Sequence, residues 1–365
     1  MVITTDSFFR KLLILVILIA GLYFAKAFLI PISIGTLLAM LFLPFCKWLE
    51  KKHVSRGLAS AICLLALMLA VAGVTGLLGW QFFALTKDLD QIKQKLLEII
   101  ANIQGYIFSH AGISPEQQSK FIGNQQPFVT RMIQRAANSL TTISVQAVLV
   151  MVYVLFLLYY RSHFRNFLLQ LVPPAKKEET DKIIYRVAQV SQQYLVGLSK
   201  MIVCLWIMYG VGFSLLGVKN ALFFAFLCGL LEIVPFVGNI TGTSITVLVS
   251  AAQGASPALL AGIVATYSSI QFIQGWVLEP LIVGPQVKIN PLFTIIALVV
   301  GELVWGIPGI FLAIPVLAMF KIVCDHVESL KPLGFLIGET KAGRSEPWFI
   351  RQAKKWYSKK KWNKE

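Results

Sequence analysis

The stretch LEIVPFVGNITG, residues 231–242, lies inside one of the most apolar parts of the chain. It holds a carboxylate, a proline, an asparagine, a threonine and two glycines where an uninterrupted hydrophobic helix would carry leucine. Pro235 lacks a backbone donor and clashes with the preceding turn, and Gly238 and Gly242 loosen the backbone further. As one unbroken helix the surrounding apolar run, 221–252, would be about 48 Å long, against a hydrocarbon core of about 30 Å. The run is therefore either a kinked, tilted helix or two half-helices that enter and return. Carbonyls freed at such a break do not face lipid; they line protein or water.

The solvent around this stretch follows from composition. The chain is 57% hydrophobic and 14% charged, with a mean hydropathy of +0.73, whereas a soluble domain carries about 25% charged residues. Such a chain is an integral membrane protein. Its formal charge is +16, but the basic residues cluster between and after hydrophobic segments. Orientation in the bilayer accounts for them, and no nucleic-acid partner is called for. The five cysteines form no Cys-x-x-Cys pair, so neither a structural disulfide nor a metal site is expected. Ala25-Lys26-Ala27 follows the apolar run LLILVILIAGLY and has the small-x-small look of a cleavage site. A second apolar run starts at once, however, and the pair reads as a helical hairpin retained in the membrane.

The expected fold is an all-α polytopic membrane protein with about eight hydrophobic segments. They lie near 10–30, 32–49, 58–85, 141–160, 199–217, 221–252, 257–279 and 291–322. Two of them, 221–252 and 291–322, are broken or re-entrant. Basic residues crowd the 47–56 link, the 161–200 link and the tail from Lys341. The positive-inside rule puts these regions and both termini in the cytoplasm. Four regions follow: N-terminal spans over 1–85, an extracytoplasmic amphipathic segment over 86–140, a transport core over 141–335 with a cytoplasmic link at 161–198, and a basic aromatic tail over 336–365. In the outer segment Leu85, Leu89, Ile92, Leu96, Ile99, Ile103 and Tyr106 form a heptad seam suited to packing another helix. Val129, Ile133, Ala136 and Leu140 repeat it. The tail suits an anionic cytoplasmic leaflet.

Signatures of common enzymes and pumps are missing: there is no phosphate-binding loop, no H-E-x-x-H and no G-x-S-x-G. The chain is read as a non-enzyme without cofactor or metal. What remains is acid and backbone disruption in the C-terminal third. Glu232, Glu279 and Glu302 each interrupt an apolar run. A carboxylate there costs about 3 kcal/mol on insertion scales, so it persists where water, substrate or a partner meets it. Burial favours the proton-carrying form of such a group. Pro235, Gly238, Asn239 and Thr241 mark the first break, and Gly306, Pro308 and Gly309 the second. Paired broken segments are the best sequence pointer to a transporter's central site. Between them Tyr267, Gln271 and Gln274 share one face of a helix.

The order Glu232-x-x-Pro235-x-x-Gly238, Glu279-Pro280, Asn290-Pro291, Gly301-Glu302, Gly306-x-x-Gly309 and Ala313-x-Pro315 resembles the autoinducer-2 exporter family of PerM-like permeases. The resemblance covers about residues 8–335, and its specific part is 229–316. It implies an oligomeric multispanning transporter in a bacterial cytoplasmic membrane that exports small hydrophilic molecules. One branch is associated with autoinducer-2, others with sodium or proton antiport. It supplies no catalytic set, so the site residues above rest on physical reading alone. The expectation is a secondary transporter of small polar solutes, an autoinducer-2-like molecule among the candidates, coupled to H+ or Na+ through intramembrane glutamates. The alternatives are an oligomeric channel or pore, and a membrane scaffold.

Overall fold

Hydrocarbon leaves a backbone few ways to pair its polar groups, and the apolar runs take the helical one. The computed structural model describes residues 5–86, 89–112, 146–234, 237–283 and 289–339. These are helical apart from short turns and one isolated bridge between Ile289 and Gly338. In chain order the helices are α1 (Thr5–Phe24), α2 (Lys26–Lys51), α3 (Arg56–Thr86), α4 (Leu89–Ala111), α5 (Gln146–Tyr159) and α6 (Arg161–Gln170). They continue with α7 (Lys177–Leu215), α8 (Ala221–Leu231), α9 (Val237–Ala252), α10 (Pro257–Ile273), α11 (Pro291–Trp305), α12 (Ile307–His326) and α13 (Lys331–Ile337). A π-helical stretch, Gln274–Val283, prolongs α10. Pro235, the second heptad stretch (Val129, Ile133, Ala136, Leu140) and the tail from Lys341 lie outside the described residues. By length and composition five described helices suffice to cross a membrane, or six if the bent pair α5–α6 is one span. The fold is thus all-α and polytopic, and the 221–252 segment is two short helices, not one span.

The N-terminal pair bends where a hairpin was expected. One residue, Ala25, separates α1 from α2 at φ −84° and ψ 9°. Tyr160 has nearly the same dihedrals, φ −89° and ψ 10°, between α5 and α6, and the chain turns there by 66°. One near-helical residue bends the axis and does not reverse it. Pro31, where the boundary between runs was drawn, sits inside α2. Helices α2, α3 and α5 bury Cys46, Leu49, Ala59, Cys63, Val154 and Leu158 in a common core. Arg161, the first residue of α6, donates to Glu50 of α2 and, at 3.3 Å, to the Cys46 sulfur.

The larger core forms around α7, whose apolar stripe buries Tyr194, Leu195, Leu198, Met201, Leu205, Tyr209 and Phe213 at spacings of about one turn. After the turn at Gly217 and Asn220, both with positive φ, α8 runs back along α7: Gly210 faces Leu222 and Ala225, and Gly229 faces Trp206. Helix α9 reverses again. A Cβ on Gly238 would collide with the Leu231 carbonyl, and one on Gly242 would press on Cys228, so only glycine lets these two helices touch. Helix α10 then descends beside α7. Gly262 meets Leu216, Gly212 meets Thr266, and Gly197 meets Ile282. Ser256 caps α10 by accepting from Leu259 N at 3.2 Å, with Pro257 in its first turn.

Helices α11 and α12 make a second hairpin. It turns on Gly306 alone, at φ 64° and ψ −141°, a conformation that favours glycine. Gly301 and Gly309 pack backbone to backbone below the turn. Trp305, beside it, donates to the Leu22 carbonyl of α1 at 2.9 Å.

Polar contacts gather at one end of the molecule, called basal here. Arg161 meets Glu50, Arg165 meets Asp181 at 2.6 Å, Arg186 donates to His326 at 2.9 Å, and Asn290 N donates to the Ile337 carbonyl at 2.9 Å. The turns Gly217–Asn220 and Gln253–Ser256 lie at the other, distal end. The first hairpin (α8–α9) therefore enters from the distal end and the second (α11–α12) from the basal end.

Candidate functional site

Helix α8 has 11 residues, about 16 Å, so it stops part-way through a bilayer core. Glu232 caps its C-terminus. A carboxylate at a helix C-terminus meets the negative end of the dipole, and this one is only 6% exposed. Neutral donors hold it. Gln274 Nε2 donates to Oε1 at 2.6 Å, and Asn239 Nδ2 lies 3.4 Å from the same oxygen. Asn239 Nδ2 also donates to Gln271 Oε1 at 2.8 Å, and Gln271 Nε2 donates to the Tyr209 hydroxyl at 3.1 Å. Among the described residues no lysine or arginine pairs with Glu232. Its second oxygen, Oε2, is buried without a hydrogen-bond partner, as are Asn239 Oδ1 and Gln274 Oε1.

Four elements converge here because their spacing requires it. Gln271 and Gln274 are one turn apart on α10. Tyr267, on the same face, stacks on Tyr209 of α7 with ring centroids 6.5 Å apart. Asn239 sits in the first turn of α9. The tip of the first hairpin thus carries an acid in a cage of amides and phenols, with one carboxylate oxygen buried and unpartnered. The arrangement is able to bind a cation, hold a proton, or accept hydrogen bonds from a hydroxylated solute.

The structure brings together Glu232, Asn239, Gln271 and Gln274, with Gly238 as the contact that allows the hairpin. It places the other candidates elsewhere. Thr241 is exposed on α9, because residues two apart on a helix point in opposed directions. Glu279 is exposed on the π-helical stretch. Glu302 is exposed on α11, with Gly306, Pro308 and Gly309 at the turn of the second hairpin. Tyr209 was absent from the sequence reading, since a tyrosine in an apolar stripe reads as core. Its spacing gave no signal of its own.

Known proteins place this architecture. The family described as AI-2E family transporter matches residues 12–329. YueF of Bacillus subtilis (strain 168) is 28% identical over 324 residues, 82% of this chain and 84% of its own. MT0215 of Mycobacterium tuberculosis (strain CDC 1551 / Oshkosh) is 24% identical over 328 residues, covering 86% and 87%. TqsA of Escherichia coli (strain K12), by name an AI-2 transport protein, is 22% identical over 330 residues, covering 89% and 93%. The chain is a membrane transporter and belongs to the AI-2E transporter family.

Proposed function

We propose that the protein is a secondary transporter that exports small polar solutes across a bacterial cytoplasmic membrane, with Glu232 as the group that exchanges a proton or sodium ion. One observation carries this reading. A carboxylate is buried at the tip of a half-helix, with one oxygen held by amide donors and the other without a partner. A group kept only for stability would be paired on both oxygens or replaced by an apolar residue. Glu302, Gly306, Pro308 and Gly309 supply the second broken element, entering from the opposite side. In this proposal Glu302 is a second exchanging carboxylate, and Glu279 borders the pathway.

The basal end, rich in lysine and arginine, faces the cytoplasm in this reading. The name of TqsA supports an AI-2-like hydroxylated molecule among the solutes. Oligomeric assembly rests on the family resemblance alone.

The test is reconstitution in liposomes, with proton and sodium gradients imposed separately and small polar metabolites screened for flux. Glu232→Gln is expected to abolish gradient-driven flux while the protein still inserts. Normal flux in that variant removes the carboxylate from the mechanism. Currents far above carrier rates would favour a pore.

A further inference from the structure

Asn239, Thr243, Thr246 and Ser250 share one face of α9, and Gln253, the first residue beyond its end, continues the line. Spacings of four, three, four and three keep them within an arc of about 80° over a length of about 21 Å. The stripe runs from the Glu232 cage to the distal turn. It is not a solvent-washed face: Thr243, Thr246 and Ser250 are 8%, 0% and 3% exposed. The lipid side of α9 is elsewhere, at exposed Ile240 and Leu248, and Ala252 packs into the apolar core.

Buried hydroxyls in this protein usually return to the carbonyl one turn back. Ser60, Ser191 and Thr246 do so at 2.9, 3.0 and 2.8 Å. Ser250 does not; its Oγ is buried without a partner, as are Asn239 Oδ1 and Gln253 Oε1. Thr243 Oγ1 faces the Tyr267 hydroxyl without closing a hydrogen bond. Unpaired polar atoms on either side of the paired Thr246, all along one face, mark a row of missing partners. Toward the basal end, Met201, Leu198 and Leu195 are buried apolar residues, and Gly197 closes against the Ile282 backbone.

We infer that the polar face of α9 is a hydrated access path, along which water and the hydroxyl groups of a passing solute reach Glu232 from the distal end. The inference rests on the proposed role of Glu232. One turn separates successive groups by about 5.4 Å, a gap that one bridging water spans with hydrogen bonds to both. The mouth of the path lies at Gln253 and Gly254, where Lys95 of α4 comes within 3.4 Å of the position a Gly254 Cβ would take. Helix α4 therefore borders the entrance.

The path is tested by thiol accessibility in the full chain reconstituted in liposomes. Ser250→Cys and Thr243→Cys are treated with a membrane-impermeant methanethiosulfonate, and labelling is counted above that of the five native cysteines. Both are expected to react at least tenfold faster than Ala252→Cys, and from the side on which Ser256→Cys reacts. Reaction of Ser256→Cys with no reaction at 243 or 250 overturns the path, as does reaction from the basal side. Flux gives a second reading: Ser250→Val is expected to slow it about tenfold, and unchanged flux counts against the path. Labelling reports water, whereas Glu232→Gln reports ion exchange. A reactive Ser250→Cys with normal flux in Glu232→Gln keeps the path and discards the exchange role.

Discussion

Glu232 depends on its neutral neighbours. The shortest contact to its carboxylate comes from Gln274, and a hydrogen bond to a charged group contributes about 1.5–3 kcal/mol. Gln274→Leu is expected to lower gradient-driven flux at least tenfold in initial-rate assays, with insertion unchanged. Gly238 tests the hairpin itself. Gly238→Ala drives a methyl into the Leu231 carbonyl, an overpacking that costs about 1–3 kcal/mol. It should lower the thermal midpoint in detergent. Gly275→Ala, with nothing within 4 Å of its Cβ, should not. The cage was largely legible in the sequence, because an acid and amides are expensive in an apolar run and stand out there. Tyr209 was not, because its ring belongs to the core and only its hydroxyl belongs to the site. Thr241 was grouped with the break by its nearness to Asn239 in the sequence. Once Asn239 lies within a helix, the residue two positions on must point away.

The elements follow the sequence closely where length decides and less closely where a single residue does. A run of 221–252 exceeds the bilayer thickness, and that excess signalled a break. The choice between a kink and a return came from Gly238 and Gly242 as contact points, which no periodicity reveals. Ala25 bends the chain although nothing in its identity says so, while Pro31 is absorbed within α2. The π-helical stretch was also hidden; it contains Pro280, which cannot donate to the ordinary ladder. The corner between α6 and α7 permits a pH prediction. Helix α7 has 39 residues, about 58 Å, so its charged first turns stand outside the membrane. There the hydrogen bond from Arg165 holds the Asp181 carboxyl below its ordinary value of 3.8, and Lys182 holds Glu178 below 4.5. A depressed folded value adds stability above the unfolded one and loses it as the pH falls through the folded one. The Arg165–Asp181 tie is therefore intact at neutral pH and is released only as the pH falls below the ordinary carboxyl value of 3.8. A spin label on α6 should gain mobility on acidification in the wild type and be mobile throughout in Asp181→Asn. Because the pair is exposed, its effect on overall melting should be negligible.

At the scale of the molecule, two hairpins enter from opposite ends and α7 lies antiparallel to both α8 and α10. Sided labelling tests this arrangement. An impermeant thiol reagent should reach Ser256→Cys and Glu178→Cys from opposite faces of a sealed vesicle. Labelling of both from one face would refute the antiparallel path between them. The distal turns have a further consequence for synthesis. Gly217–Asn220 carries one lysine, and Gln253–Ser256 carries no charge at all. With the basal end in the cytoplasm, as proposed above, these short, nearly neutral bends are the distal parts of the described second half that must be pushed through the bilayer, while the charged first turns of α7 stay on the side where they were made. Insertion of the C-terminal half thus needs no costly passage of lysine or arginine clusters, and adding two or three such residues to the Gln253–Ser256 bend would be the simplest way to stall it.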